Sequence, residues 1–132
     1  MSGSFEKAAI LIKRMMGYYI NMNKSKILIM GIGKEIDGEY QYETDLIDFI
    51  VELQEYGRPV HVIDFHADTE FLKEHYNINC KNNMGGFGVI STYSAIVFGV
   101  EQEEFRSEHF KIKEYMRGRC VLFDWQKPHI KY

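Results

Sequence analysis

The sequence predicts an open α/β domain, a mainly parallel sheet of four or five strands between layers of helix, with one extra helix at the N-terminus. Three observations predict it. Short apolar runs alternate with segments of helical periodicity. The strand-like runs are apolar at successive positions, as in strands buried on both faces of a parallel sheet. The chain, 132 residues with 45% hydrophobic and 27% charged, is large enough for one genuine core and unlike a disordered chain or a coiled coil.

In residues 5–20, Phe5, Ala8, Ala9, Ile12, Met15, Met16 and Tyr19 recur at three- and four-residue steps, the mark of one helical face. Residues 21–25 form a polar joint, and Lys26-Ile27-Leu28-Ile29-Met30-Gly31 reads as the first buried strand. Residues 33–44 are acidic, glycine-bearing and aperiodic. Thr44 or Asp45 then caps a helix through Leu46, Ile50, Leu53 and Tyr56, which Gly57 stops. Pro59-Val60-His61-Val62-Ile63-Asp64 is the second strand, and Asp68 caps a helix over 69–76. Residues 77–91, with Asn82-Asn83 and Gly85, Gly86 and Gly88, are irregular and hold one short strand near Val89. Residues 94–100 make the third strand, 107–117 a helix ended by Gly118, and 120–124 the fourth strand. Strands joined by helices of this length pair in parallel through crossovers, so helices cover both sheet faces. The division is a helix and joint over 1–24 and an α/β domain over 25–132.

Charge and composition exclude several functions. A formal net charge of -3 provides no basic field for a nucleic-acid backbone. The apolar runs are strand-sized, short of the roughly 20 residues of a membrane span, and the N-terminus has no signal-peptide pattern. Cys80 and Cys120 match no short metal or redox spacing, which points to a reduced, cytoplasmic protein.

Ligands of open parallel sheets bind beyond the carboxyl ends of the strands, here after Gly31, Asp64, Val100 and Asp124. Gly31-Ile32-Gly33 has part of a dinucleotide fingerprint, but Lys34-Glu35-Ile36 stands where the third glycine is needed. That spacing speaks against NAD. Glu35, Asp37, Glu39, Glu43 and Asp45 in the same loop set several acids against the single Lys34, which disfavours a phosphate.

Several stretches in order resemble one family. Lys26-Ile27-Leu28-Ile29-Met30-Gly31-Ile32-Gly33-Lys34-Glu35 is similar to the first strand and loop of the C-terminal, UDP-binding domain of UDP-glucose and GDP-mannose dehydrogenases. Residues 48–57 are similar to that domain's first helix, Val60-His61-Val62-Ile63-Asp64-Phe65-His66-Ala67-Asp68 to its second strand, residues 93–105 to its third strand and exit, and Val121-Leu122-Phe123-Asp124 to its last. Residues 7–20 resemble the end of the helix joining this domain to the rest of such enzymes. The resemblance implies a Rossmann-like three-layer fold and a nucleotide site at Gly31, Gly33, Lys34, Tyr42 and Thr44. It also implies UDP or a UDP-sugar as ligand.

The departures bear on that site. The family's lysine of the first loop matches Lys34 after a one-residue gap and Glu35 without it, and its arginine falls on Tyr42. No arginine or lysine lies between Lys34 and Arg58, so the cations that would match a pyrophosphate are mostly lost. Phe65 stands for the proline after the second strand and Glu101 for the histidine after the third. The family's NAD domain and catalytic-cysteine segment have no counterpart in this stretch, so the expectation is no cofactor in this chain, no catalysis of its own and weak nucleotide binding. The alternative is an interaction or regulatory module that kept the fold, docking a second copy or a partner protein through the N-terminal helix.

Bland readings compete for the remaining features. Asp64, His66 and Asp68 read as a strand end and a helix cap before they read as a metal site. Gly85, Gly86 and Gly88 read as a turn, and Trp125 as a cover of the core edge.

Overall fold

The computed structural model describes residues 3–18, 20, 25–87, 93–107 and 116–130. Its elements run α1 (Gly3–Gly17), β1 (Ile27–Met30), β2 (Gly33–Ile36), β3 (Glu39–Tyr42), α2 (Thr44–Glu55), β4 (Val60–Ile63), α3 (Thr69–Tyr76), β5 (Asn79–Lys81), β6 (Tyr93–Phe98), α4 (Glu103–Ser107) and β7 (Met116–Asp124). Five strands form one parallel sheet in the order β5-β4-β1-β6-β7, and β2 and β3 form a separate antiparallel hairpin. The α/β fold and its parallel sheet are as the sequence predicts.

Strand β1 is buried at all four positions because β4 and β6 flank its edges and a separate apolar cluster covers each of its faces. Successive side chains of a strand point to opposite faces. Ile27 and Ile29 join one core with residues of α1, α2 and α3, while Leu28 and Met30 join a second. Phe65, Met84, Phe87 and the α4 residue Phe105 pack on that second core. From β1 the chain moves outward through β4 to β5, then returns to β6 on the other side of β1. The order therefore reverses between β1 and β6.

The N-terminal helix buries Ala8, Leu11, Ile12 and Met15 in the same core as α2, whereas Phe5 is 54% and Met16 61% exposed. Its buried face is rotated from the expected one: Leu11 belongs to it, and Phe5 and Met16 do not. The helix also ends at Gly17, short of the expected limit at 20. No helix among the described residues is long and apolar enough to cross a membrane.

Four further differences are local. Residues 33–42 are a hairpin turned by Asp37 and Gly38, both at positive φ (53° and 84°), the geometry that Asp-Gly turns favour. The α2 N-cap is Glu43 with no side-chain capping bond; Glu43 N instead donates to Ile32 O at 2.8 Å, which fixes the helix start one residue before Thr44. Strand β5 follows α3 directly, whereas the expected strand near Val89 lies outside the described residues. Finally, Met116, Arg117 and Gly118 belong to β7, which pairs with β6 from Met116 onward. The expected helix over 107–117 therefore fails at its end, and 108–115 lie outside the described residues. Gly118 falls where the register shifts between Tyr93–Met116 and Ala95–Val121, the kind of irregularity that interior glycines often mark. Asp68 does cap α3, accepting from Phe71 N at 3.0 Å.

Two tests follow from this packing. At Gly31 (φ +80°) a Cβ would lie 1.9 Å from Val100 O, whereas at Gly57 (φ +75°) it would meet open space. Gly57→Ala is expected to cost about 1 kcal/mol for the left-handed backbone alone. Gly31→Ala adds a clash with fixed backbone and is expected to cost at least about 3 kcal/mol by denaturant titration.

On the second face the His61 ring stacks on Phe87 at 4.1 Å, with Nδ1 2.9 Å from the Tyr93 hydroxyl. Burial, reinforced by Lys26, lowers its pKa from 6.5. Because the unfolded chain then takes the proton first, the stabilising increment is complete above that ordinary value and is lost as pH falls below it. Between about pH 7.5 and about pH 5.5, wild type should lose more melting temperature than His61→Gln, which cannot titrate. Equal losses would remove His61 as the source.

Candidate functional site

An open cleft of about 650 Å³ lies where the strand order reverses, the position at which doubly wound sheets accept ligands. Met30, Phe98 and Phe105 give it apolar walls, and Lys34, Arg106, Glu101 and Asp124 give it charges of both signs. Behind it the backbone is closed. Gly31 N donates to Ile63 O at 2.8 Å, Gly99 N to Met30 O at 3.0 Å and Val100 N to Gly31 O at 2.7 Å. These three amides serve strand-to-strand contacts and are not offered to an anion in the cleft.

A buried carboxylate organises the rim. Asp64 ends β4 at 0% exposure. Its Oδ2 accepts from Ile32 N at 2.8 Å, Tyr40 Oη at 2.5 Å and Gln102 Nε2 at 2.7 Å, and its Oδ1 accepts from His66 N at 2.9 Å. Gln102, itself 5% exposed, also donates to Gly33 O at 2.8 Å and accepts from Phe65 N at 3.1 Å. The Asp64 and Ala67 carbonyls both accept from Asn82 Nδ2. One side chain thus ties together the exits of β1, β4 and β6 and the hairpin. Burial and the bond to Asp64 push the Tyr40 phenol far above its ordinary pKa, so it remains a donor.

The hairpin sorts the expected site residues. Alternation puts Lys34 on one face and Gly33, Glu35, Tyr40 and Tyr42 on the other. Lys34 lines the cleft and has no ion-pair partner among the described residues. Tyr42 stacks on Phe71 of α3 at 6.0 Å, and its hydroxyl accepts from Asp68 N at 2.9 Å; burial raises its pKa. Thr44 is exposed at the first position of α2. Gly31 packs on Val100, and a Cβ at Gly33 would lie 2.6 Å from the Tyr40 hydroxyl, so both glycines meet protein. The structure therefore brings Lys34 to the cleft and leaves Tyr42 and Thr44 outside its lining.

The acids feared in the first loop, Glu35, Asp37, Glu39, Glu43 and Asp45, are exposed on the hairpin and the start of α2, and none lines the cleft. Its acids are Glu101 and Asp124, and its second cation is Arg106, which sequence reasoning missed. The available signal was position: Arg106 follows directly on the family-like exit of the third strand.

Other candidates resolve individually. Asp64 and Asp68 are engaged in the rim and the α3 cap, and His66 Nε2 contacts Glu104 Oε2 on α4. Trp125, 5% exposed, packs on Phe49 at 5.0 Å with Lys7 over its ring, the core-edge role expected. Both cysteines are free, and burial pushes each thiol up to about 12, far from a reactive thiolate.

No family model matches the chain. A curated protein, UDP-N-acetyl-D-glucosamine 6-dehydrogenase of Salmonella typhi, is 28% identical over 115 residues. The match takes in 86% of this chain and 26% of that protein, so the chain spans about a quarter of the relative's length. The likeness is consistent with a domain related to nucleotide-sugar dehydrogenases.

The rim makes a direct prediction. Asp64→Ala would strand the donors of Ile32, Tyr40 and Gln102 and should cost about 3–5 kcal/mol. Tyr40→Phe removes one bond and should cost about 1 kcal/mol. Urea unfolding of both variants measures the ratio; similar small losses would mean that the carboxylate does not hold the rim together.

Proposed function

We propose that this chain is a UDP-sugar-binding-type domain of the nucleotide-sugar dehydrogenase kind, without catalysis of its own and with a weakened pyrophosphate site. The observation that carries the reading is the cleft at the reversal of strand order, which Lys34 lines together with the aromatic rings of Phe98 and Phe105. The ordered resemblance of strands and loops supports it, as does the likeness to a protein whose name specifies a UDP-sugar. Oxidation of a sugar alcohol through a covalent thiol intermediate needs a thiolate and a hydride acceptor. The chain's two cysteines are poorly suited to that role because burial holds their protons on. Binding is weak in this reading because Lys34 is the cleft's one unengaged cation among the described residues, Arg106 being paired with Glu101.

Calorimetric titration with UDP, UDP-sugars and NAD tests the proposal. UDP should bind with a Kd of about 0.1–1 mM, NAD more weakly, and Lys34→Ala should weaken UDP by roughly three- to tenfold. Oxidation of a UDP-sugar by this chain alone would overturn the non-catalytic claim. If neither UDP nor a UDP-sugar binds, the second reading, an interaction module, takes precedence. It is favoured by Phe5, Met16 and Tyr18 on and after α1, exposed at 54%, 61% and 44%.

A further inference from the structure

We propose that Arg106 is a second phosphate-binding cation of the cleft and that Glu101 competes with the ligand's phosphate for it. The inference rests on the nucleotide reading of the cleft and adds a residue that the resemblance does not supply. Arg106 Nε donates to Glu101 Oε1 at 2.7 Å, and Nη2 lies 2.5 Å from the same oxygen. Both residues line the cleft that Lys34 enters from the hairpin. A guanidinium fork holds phosphate oxygens in pairs, so the group is chemically suited to the ligand but occupied by an internal acid.

The pair is built to open. Its side chains are 69% and 68% exposed, and ion pairs this open to water contribute little. The backbone that carries Arg106 is better anchored. The neighbouring Phe105 ring meets Phe65 edge-to-face at 5.2 Å, and Glu104 contacts His66. Gln102, between the two partners, is held in the Asp64 network. Releasing Arg106 therefore requires rotation of its side chain without movement of α4. Glu101 opposes an anion twice, by its own charge and by holding the arginine.

These two effects separate by substitution. The probes are inorganic pyrophosphate and UDP, titrated at low salt into wild type, Glu101→Gln, Arg106→Ala and the double variant, each first checked for an unchanged melting temperature. Glu101→Gln should bind pyrophosphate about three- to tenfold more tightly, and added salt should shrink the gain. Arg106→Ala should weaken pyrophosphate binding, by less than that factor because Glu101 already holds the guanidinium, and the double variant should lose the gain. No gain in Glu101→Gln, or a gain that survives in the double variant, overturns the proposal, the latter because removal of a negative charge would then explain it. A gain for pyrophosphate without one for UDP upholds the arginine's role and counts against the nucleotide reading. UDP binding to wild type that Glu101→Gln leaves unchanged does the reverse.

Discussion

The carboxylate of Asp64 is the constraint on which the carboxyl edge of this sheet depends. A fully buried carboxylate is costly unless donors surround it, and Asp64 collects backbone amides from Ile32 and His66, the Tyr40 phenol and the Gln102 amide. These donors come from segments far apart in sequence, so satisfying one acceptor fixes the relative positions of three strand exits. Through Tyr40 the carboxylate also holds the hairpin, alongside the contacts of Tyr42 with Phe71 and Asp68 N. Among the described residues the hairpin's strands pair with each other alone, and an isolated two-stranded hairpin is marginal in water.

Placement of the hairpin decides what the cleft contains. With Tyr40 drawn inward to Asp64 and Tyr42 laid on Phe71, the opposite face carries Lys34 to the point where strand order reverses. The same alternation keeps Glu35 off that face. A one-residue slip would exchange lysine for glutamate on the cleft face. The aromatic pair is thus a register lock as well as core material.

How much was legible follows from which interactions are local. Buried strands β1, β4 and β6 and helices α2 and α3 announce themselves through apolar runs and period, and Asp68 acts within its own turn. The hairpin was missed because its strands are mostly exposed and β2 has no apolar alternation, although Glu39-Tyr40-Gln41-Tyr42 alternates and Asp37-Gly38 is a hairpin turn in composition. Strand β5 has three residues, of which only Cys80 is buried, too little pattern to register. At the site, Lys34 and the four strand exits were legible. The joint of Asp64, Tyr40 and Gln102 was not, since it links residues as many as 38 positions apart, and no single-sequence pattern encodes such a contact. Arg106 shared that obscurity: its place in the same cleft as Lys34 depends on how α4 returns to the sheet.

The cleft finally illustrates how a retained fold can separate shape from affinity. In nucleotide-binding sheets of this topology, glycines let backbone amides approach a phosphate. Here Gly31 and Gly99 let two strand exits approach each other, and the amides of Gly31, Gly99 and Val100 are spent on carbonyls of neighbouring strands. The chain can therefore keep its glycines and its strand order while offering those donors to no ligand. On the proposed reading, recognition of an anion would fall to Lys34 and Arg106, opposed by Glu101 and Asp124, and of these Lys34, Arg106 and Glu101 are exposed enough to be screened by water and salt. On that reading an acid at position 101 would weaken the site without disturbing a contact of the core, so the fold and the strength of its ligand site could change independently.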